Sequence, residues 1–297
     1  MILGSSLYLQ SPTDLIALLK PRVTALVIAT TAGGLWLAPG RLSGALAFYT
    51  LLGTVLLVGA ANALNMYLER DTDALMARTR DRPLPAKRMS PEIALWVGIF
   101  LALVSLLVLV VRVNLLTGLL GLVAFVSYVL FYTPLKQKSH AALLIGAVPG
   151  AMPPLMGWTA ATGTLQLPQD FPGLTLFAIL FLWQIPHFLA IALFRKQDYE
   201  KAGIRIMPIE KGDEATKHMI VRYLAGLVAV SFYPVSFGMV GSGYYAVTAA
   251  LLGVVFFVWG CLGFRKNAGP AWAKSFFLAS IVYLPALLGV LAWSSQH

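Results

Sequence analysis

Runs of about 20 consecutive apolar residues recur along this chain, and they limit its fold more than any other feature. A helix of that length is long enough to cross the hydrocarbon core of a bilayer. Nine such runs can be marked, at about 20–38, 43–68, 92–111, 115–133, 141–160, 171–194, 217–238, 243–263 and 273–294. Turn-forming residues stand between them: Pro39-Gly40, Pro91, Pro134, Gly163, Pro168, Gly241 and Gly269-Pro270. Of the 297 residues, 59% are hydrophobic and 11% charged, against about 25% charged in soluble domains. A water-soluble chain of this composition would have too few polar residues to cover its surface. Lipid removes that problem, and spanning helices satisfy their own backbone hydrogen bonds. The expected fold class is all-α: a polytopic membrane protein with residues 1–297 as a single transmembrane domain, about nine transmembrane helices surrounding a central cavity that opens to the cytoplasmic side.

A net charge of +10 would suggest a nucleic-acid partner for a soluble chain. Here the basic residues sit in short loops between apolar runs, so topology explains them and no nucleic acid is expected. With Met1 cytoplasmic, segments 1–20, 69–91, 134–140, 195–216 and 264–272 share that side, and 20 of the 22 Lys and Arg lie on or near it. Arg41 and Arg112 lie opposite. The positive-inside rule then gives an integral, multi-pass protein with a cytoplasmic N-terminus, expected in the bacterial inner (cell) membrane. Eleven of the 12 acidic residues share the cytoplasmic side, Asp170 being the exception. Acids contribute little to topology, so the rule does not explain them. Most lie in the 69–91 and 195–216 loops, which would face each other across one cavity. Met1 to Lys20 lacks a basic start, and the apolar run continues past Pro21, which argues against a cleavable signal peptide. Cys261, the single cysteine, allows no disulfide within the chain and reads as a small buried hydrophobe.

Asn62, Asn65, Glu69 and Asp73 follow at steps of three, four and four, so they form one polar stripe where the second run ends. Asp71 points away if the helix continues unbroken. Amides within an apolar span are costly without partners. An oxygen-rich stripe suits a hard cation such as Mg²⁺, held by a few carboxylates and substrate phosphate oxygens. Arg78 and Arg82 follow, with guanidinium donors that match phosphate oxygens. Lys87 and Arg88 read as topogenic.

The sixth run carries Trp183-Gln184-Ile-Pro186-His187-Phe188, with Gln184 and His187 three apart and expected on one face. A histidine at membrane depth can be an axial iron ligand, a proton carrier or a packing residue. In the loop beyond, Asp198 and Glu200 would not share a helix face, and Lys196 and Lys201 could hold a diphosphate or a propionate. Tyr132-Thr-Pro134-Leu-Lys136 closes the fourth run, while Gly146, Pro149, Gly150 and Pro153-Pro154 interrupt the fifth and imply a bend. His140 reads as interfacial; His218 and His297 carry no assigned role.

Together these motifs resemble the intramembrane aromatic prenyltransferase superfamily across nearly the whole chain. Its first motif, Asn-Asp-x-x-Asp-x-x-x-Asp followed by Arg-Pro-Leu-Pro, is matched by Asn65, Met66, Glu69, Asp73 and Arg82-Pro-Leu-Pro85. Met66 and Glu69 replace two of its aspartates. Within the superfamily, Asn65-Met66-Tyr67, Trp183 to Phe188 and Asp198-Tyr199 with Met207-Pro208 are similar to the branch whose acceptor is heme.

The resemblance implies transfer of farnesyl from farnesyl diphosphate to a vinyl group of heme B, giving heme O. It implies Mg²⁺ held by Asn65, Glu69, Asp73 and Asp198, with Arg78 also catalytic. Asn62, Asp71, Arg82, Lys136, Gln184, His187, Lys196, Tyr199 and Lys201 are the implied substrate contacts. His187 is the candidate for heme contact. The lipid bilayer and a downstream heme A synthase are the implied partners. A quinone-precursor ring or lipid alcohol is the alternative acceptor. A transporter is a remoter alternative, which predicts polar residues spread through the membrane depth rather than gathered on one side.

Overall fold

The computed structural model describes residues 11–40 and 42–295, excluding the side chains of Arg22 and Ser242. Expectations about residues 1–10, Arg41 and His297 lie outside the described residues. In chain order the helices are α1 (Pro12–Leu18), α2 (Pro21–Leu37), α3 (Gly44–Asp73), α4 (Pro91–Val108), α5 (Leu115–Val126), α6 (Thr133–Leu135), α7 (Ala142–Thr162), α8 (Phe171–Phe194), α9 (Lys196–Lys201), α10 (Met207–Glu210), α11 (Gly212–Val230), α12 (Tyr233–Ser236), α13 (Ser242–Cys261) and α14 (Pro270–Ser294). Wider π-helical turns at Leu109–Val113 and Ser127–Tyr132 extend α4 and α5.

Among the described residues eight helices are long and apolar enough to cross a membrane. The first expected run is different. Pro12–Leu18 and Val23–Leu37 are bent by 52° and make a ninth span only as a pair. Lys20 takes the left-handed conformation at φ 48°, and Pro21 has no N–H to continue the hydrogen-bond ladder. Asn62 Nδ2 donates to Leu19 O at the break, 3.2 Å away.

Burial separates interior helices from lipid-facing ones. In α7 and α8, 61% of the spanning window is buried, against 22–33% in the other six spans. On α4, Trp96, Phe100, Leu103 and Leu107 recur at helical spacing and are each about two-thirds exposed. Val247, Leu251, Val254 and Val258 make a similar apolar stripe on α13. Such continuous apolar faces suit hydrocarbon rather than water. The largest core joins α8, α11, α13 and α14 around Leu176, Ile220, Leu224, Tyr245, Phe276 and Leu287.

Despite three internal prolines, α7 is helical from Ala142 to Thr162. It lies unusually close to α2. A Cβ at Gly34 would lie 2.0 Å from Pro154 O, and one at Gly157 would lie 2.1 Å from Thr31 O. Only glycine allows the two backbones this approach. That contact sets the spacing of the helices that wall the cavity.

Candidate functional site

Helix α3 continues unbroken through the stripe, so Asn62, Asn65, Glu69 and Asp73 share a face and all four are buried. Asp71 turns outward with its side chain 90% exposed and lies away from this group. Three of the four meet a cation from outside α3, while Asn62 donates to Leu19 O. Lys20 Nζ donates to Asn65 Oδ1 at 2.7 Å. Lys136 Nζ lies 2.8 Å from the Glu69 carboxylate and donates to Oε2. Arg82 Nη1 donates to Asp73 Oδ2 at 2.6 Å. Asn65 Nδ2 donates to Thr133 Oγ1 at 3.2 Å, tying the stripe to α6. Burial opposes the charge on Lys136, but Tyr132 and the Glu69 carboxylate outweigh it and hold the ammonium above the ordinary lysine range.

These residues form a polar chamber of about 100 Å³, which Arg78, Tyr128, Tyr199 and Ile204 also line. A second chamber of about 370 Å³ lies beside it, walled by residues such as Val27, Leu57, Phe125, Met152, Met156 and Phe188. Lys20, Arg78, Arg82 and Tyr128 line both chambers and so form the neck between them. Among the described residues Arg78 has no hydrogen bond or ion pair, which leaves its guanidinium available at the neck. The larger volume falls within the usual range for small-molecule pockets.

The second loop contributes less than its composition suggested. Tyr199 reaches the polar chamber. Asp198 pairs instead with Arg195 at 3.4 Å, and Lys196 pairs with Asp213 at 2.7 Å. Lys201 is exposed and lines neither chamber. His140 and Glu210 pair across the two loops, and hydrogen bonding to His140 holds the Glu210 carboxyl below the usual range. Among the described residues no three His, Cys, Asp or Glu side chains converge as a metal site. The donor set is thus two carboxylates and one amide oxygen on α3. That set fits a cation whose remaining ligands are phosphate oxygens, as Mg²⁺ prefers. Glu69 Oε1 is buried and among the described residues makes no hydrogen bond, its one charged neighbour being Lys136 Nζ at 2.8 Å, and it could turn to such a cation once Lys136 moves to a phosphate.

The expectation that Gln184 and His187 share a face does not hold. Gln184 and Phe188 line the large chamber, whereas His187 turns to α14. His187 Nδ1 pairs with Ser280 Oγ at 2.7 Å, and its ring stacks on Trp183 and lies against Phe277. A step of three residues rotates by about 60° net around a helix, enough here to put the two on different neighbours. Lys20 and Tyr128 were missed as site residues. Lys20 carried one signal: a lysine before a proline at the mouth of an apolar run. Arg88, read as topogenic, pairs with Asp14 at 3.0 Å and anchors α1 to the loop after α3.

A cationic neck joins an acidic, oxygen-rich chamber to a long apolar one inside a helical bundle. This defines a class: a multi-pass integral membrane protein built to hold an anionic head and an apolar tail together. The chain belongs to the UbiA prenyltransferase family, which it matches over residues 26–281. It is 52% identical to a protein named protoheme IX farnesyltransferase from Myxococcus xanthus (strain DK1622), over 94% of each chain. A protein of the same name from Sorangium cellulosum (strain So ce56) is 51% identical over 90% of this chain and 99% of its own. Among solved structures, a digeranylgeranylglyceryl phosphate synthase superposes with a TM-score of 0.81 at 14% identity, covering 95% of this chain and 97% of its own. A UbiA homolog from Archaeoglobus fulgidus bound to GPP and Mg²⁺ superposes with a TM-score of 0.65 at 17% identity, covering 94% and 99%. At these identities the solved structures establish the shared fold.

Proposed function

We propose that this protein transfers a farnesyl group from farnesyl diphosphate to a vinyl group of heme B, forming heme O. The observation that carries prenyl transfer is the shared neck: Lys20, Arg78 and Arg82 border both chambers. A diphosphate in the polar chamber then places carbon 1 of its chain at the neck and the rest of the chain among apolar walls. The choice of farnesyl donor and heme acceptor is supported by the relatives' names over nearly full length.

Lys20, Lys136 and Arg82 are already paired with Asn65, Glu69 and Asp73. An arriving diphosphate offers Lys20, Arg82 and Lys136 stronger partners, while Arg78 needs to leave none. These fixed cations stabilise the charge that develops on the departing diphosphate. Asn65, Glu69 and Asp73 are the residues that would hold Mg²⁺, and Asp198 would join them by leaving Arg195. When bound, the ion would supply Lewis-acid neutralisation of the leaving group. Tyr128, Tyr132 and Phe125 line the walls where an allylic cation would form, and they shield it from bulk water. His187 lies outside the large chamber, against α14, with Nδ1 held by Ser280; Nε2 would be the nitrogen left for heme iron were the heme to extend past Phe188 to that face. We place the N-terminus and the polar chamber on the cytoplasmic side of the bacterial inner membrane, from the loop charges. A heme A synthase would then consume the product.

The test is a product assay. Purified protein in lipid receives heme B, farnesyl diphosphate and Mg²⁺, with a metal-free control, and extracted porphyrins are weighed. A Mg²⁺-dependent gain of one farnesyl group and one water supports the proposal. Absence of that gain in protein that still binds farnesyl diphosphate moves the acceptor to a quinone-precursor ring or a lipid alcohol.

A further inference from the structure

Gln184 is buried, only 7% exposed, on the α8 wall of the large chamber. Both its amide hydrogens are committed. Nε2 donates to Leu180 O at 3.0 Å and to Ala147 O at 3.3 Å. The amide cannot be turned over, because its oxygen would then face two carbonyl oxygens. Oε1 is therefore presented outward from this anchor, and among the described residues it has no hydrogen-bond donor. The opposite surface is Gly150 of α7, where a Cβ would lie 1.9 Å from Oε1. Oε1 lies against Gly150 and fills the space a side chain there would take, so the glycine is what admits this oxygen at the chamber wall.

Its position relative to the neck follows from α7. Gly146 packs against the Tyr132 ring, and Gly150 one turn later packs against the Gln184 amide. Tyr132 lies against Tyr128, which lines the neck, with ring centroids 5.4 Å apart. Gln184 thus presents an acceptor about one helical turn, roughly 6 Å, beyond Tyr132. Asn62 also lines this chamber, but it lies on the α3 stripe one turn from Asn65, on the diphosphate side.

We infer that Gln184 is a water-positioning residue that decides how the reaction ends; this rests on the farnesyl-to-heme reading above. In that reaction the bond from farnesyl carbon 1 to the diphosphate oxygen breaks. The terminal vinyl carbon bonds to carbon 1, leaving positive charge on the vinyl carbon attached to the porphyrin. A water oxygen bonds to that carbon, and the surplus proton passes to the released diphosphate. Without a placed water, the same cation loses a proton from the adjacent carbon. The product is then an alkene lighter by one water. Gln184 Oε1 accepts one hydrogen of the water, which aims an oxygen lone pair away from the wall and into the chamber. The amide is not the base; it selects the product.

The experiment reads the ratio of hydrated to anhydrous farnesyl heme by mass spectrometry, with the reaction run in ¹⁸O-labelled water. Gln184→Met keeps length and removes the acceptor, and it is expected to shift the ratio about tenfold toward the alkene, as loss of one hydrogen bond would. Gly150→Ala pushes the amide aside and is expected to shift the ratio in the same direction as Gln184→Met, which provides a test should that variant fail to fold. An unchanged ratio in folded Gln184→Met or Gly150→Ala protein overturns the inference, as does loss of both products from variants that still bind farnesyl diphosphate. No farnesylated heme from the unaltered protein refutes the underlying reaction instead.

Discussion

Changing Glu69 to Gln tests the proposed cation-binding role of its carboxylate apart from its ion pair with Lys136. The carboxylate is 3% exposed, and Lys136 Nζ lies 2.8 Å away with its side chain 27% exposed. At an effective dielectric of about 20, attraction at that distance is roughly 6 kcal/mol. Most of it is offset by the water both groups have lost. Removing one partner of a buried pair typically costs about 3–5 kcal/mol, because the other charge stays buried alone. Lys136 keeps some solvent, so the lower end applies, about 3 kcal/mol. For a chain of this size that lowers the thermal midpoint by roughly 6–12 °C. Lys136→Met should destabilise more, since it strands a carboxylate that is almost wholly buried. Glu69→Gln/Lys136→Met removes both charges and should recover most of the lost stability, a coupling that a double-mutant cycle measures. Prenyl transfer should not recover with it. On the proposed mechanism the double variant would lack both a cation ligand and a diphosphate contact, and its kcat/KM should stay at least roughly 100-fold down, near 3 kcal/mol of transition-state stabilisation. Thermal scans in detergent and single-turnover product assays supply the two readouts. Recovery of transfer together with stability in the double variant refutes a direct role for Glu69, and so does a Glu69→Gln protein that turns over within about threefold of the parent.

Gly34→Ala places a Cβ 2.0 Å from Pro154 O, a backbone atom that cannot swing aside. Overpacking of this kind costs about 1–3 kcal/mol, so the thermal midpoint should fall, and an unchanged midpoint contradicts the close α2–α7 contact. Asp170 is buried, which by itself raises its pKa, but hydrogen bonds from Trp158, the Gln166 backbone N–H and Thr164 outweigh that and hold the carboxyl below its ordinary value. A depressed pKa stabilises the fold above about pH 4, and that contribution disappears as pH falls through the folded value. Asp170→Asn should lower the midpoint at neutral pH and flatten its acid dependence; a parallel acid profile in both proteins counts against this. His187→Ala should weaken heme binding measured by optical titration while farnesyl diphosphate binding is kept. Equal heme affinity removes His187 as the iron contact.

The same distinction runs through fold and site. Periodicity identifies which residues of one helix share a face, because the 3.6-residue turn is a local property. The spans and the α3 stripe from Asn62 to Asp73 could therefore be read directly, as could the outward turn of Asp71. The loop motifs likewise pointed to the family that the chain matches over residues 26–281. Periodicity does not identify which neighbour a face meets. Composition made the 195–216 loop look like an equal second half of the cation site, yet Asp198 and Lys196 find partners close by.

Residue identity alone settled that this chain crosses a membrane and gathers most of its carboxylates and basic side chains on one side, since both follow from composition and local spacing. Tertiary structure alone decided which charges meet. Lys20 reaches Asn65 because the chain breaks at Pro21, and Lys136 reaches Glu69 across 67 residues. It also turned Gln184 into the chamber and His187 toward Ser280. The physical reason is that a buried charge or amide must find its partner wherever packing brings one, and packing depends on helices far apart in the chain.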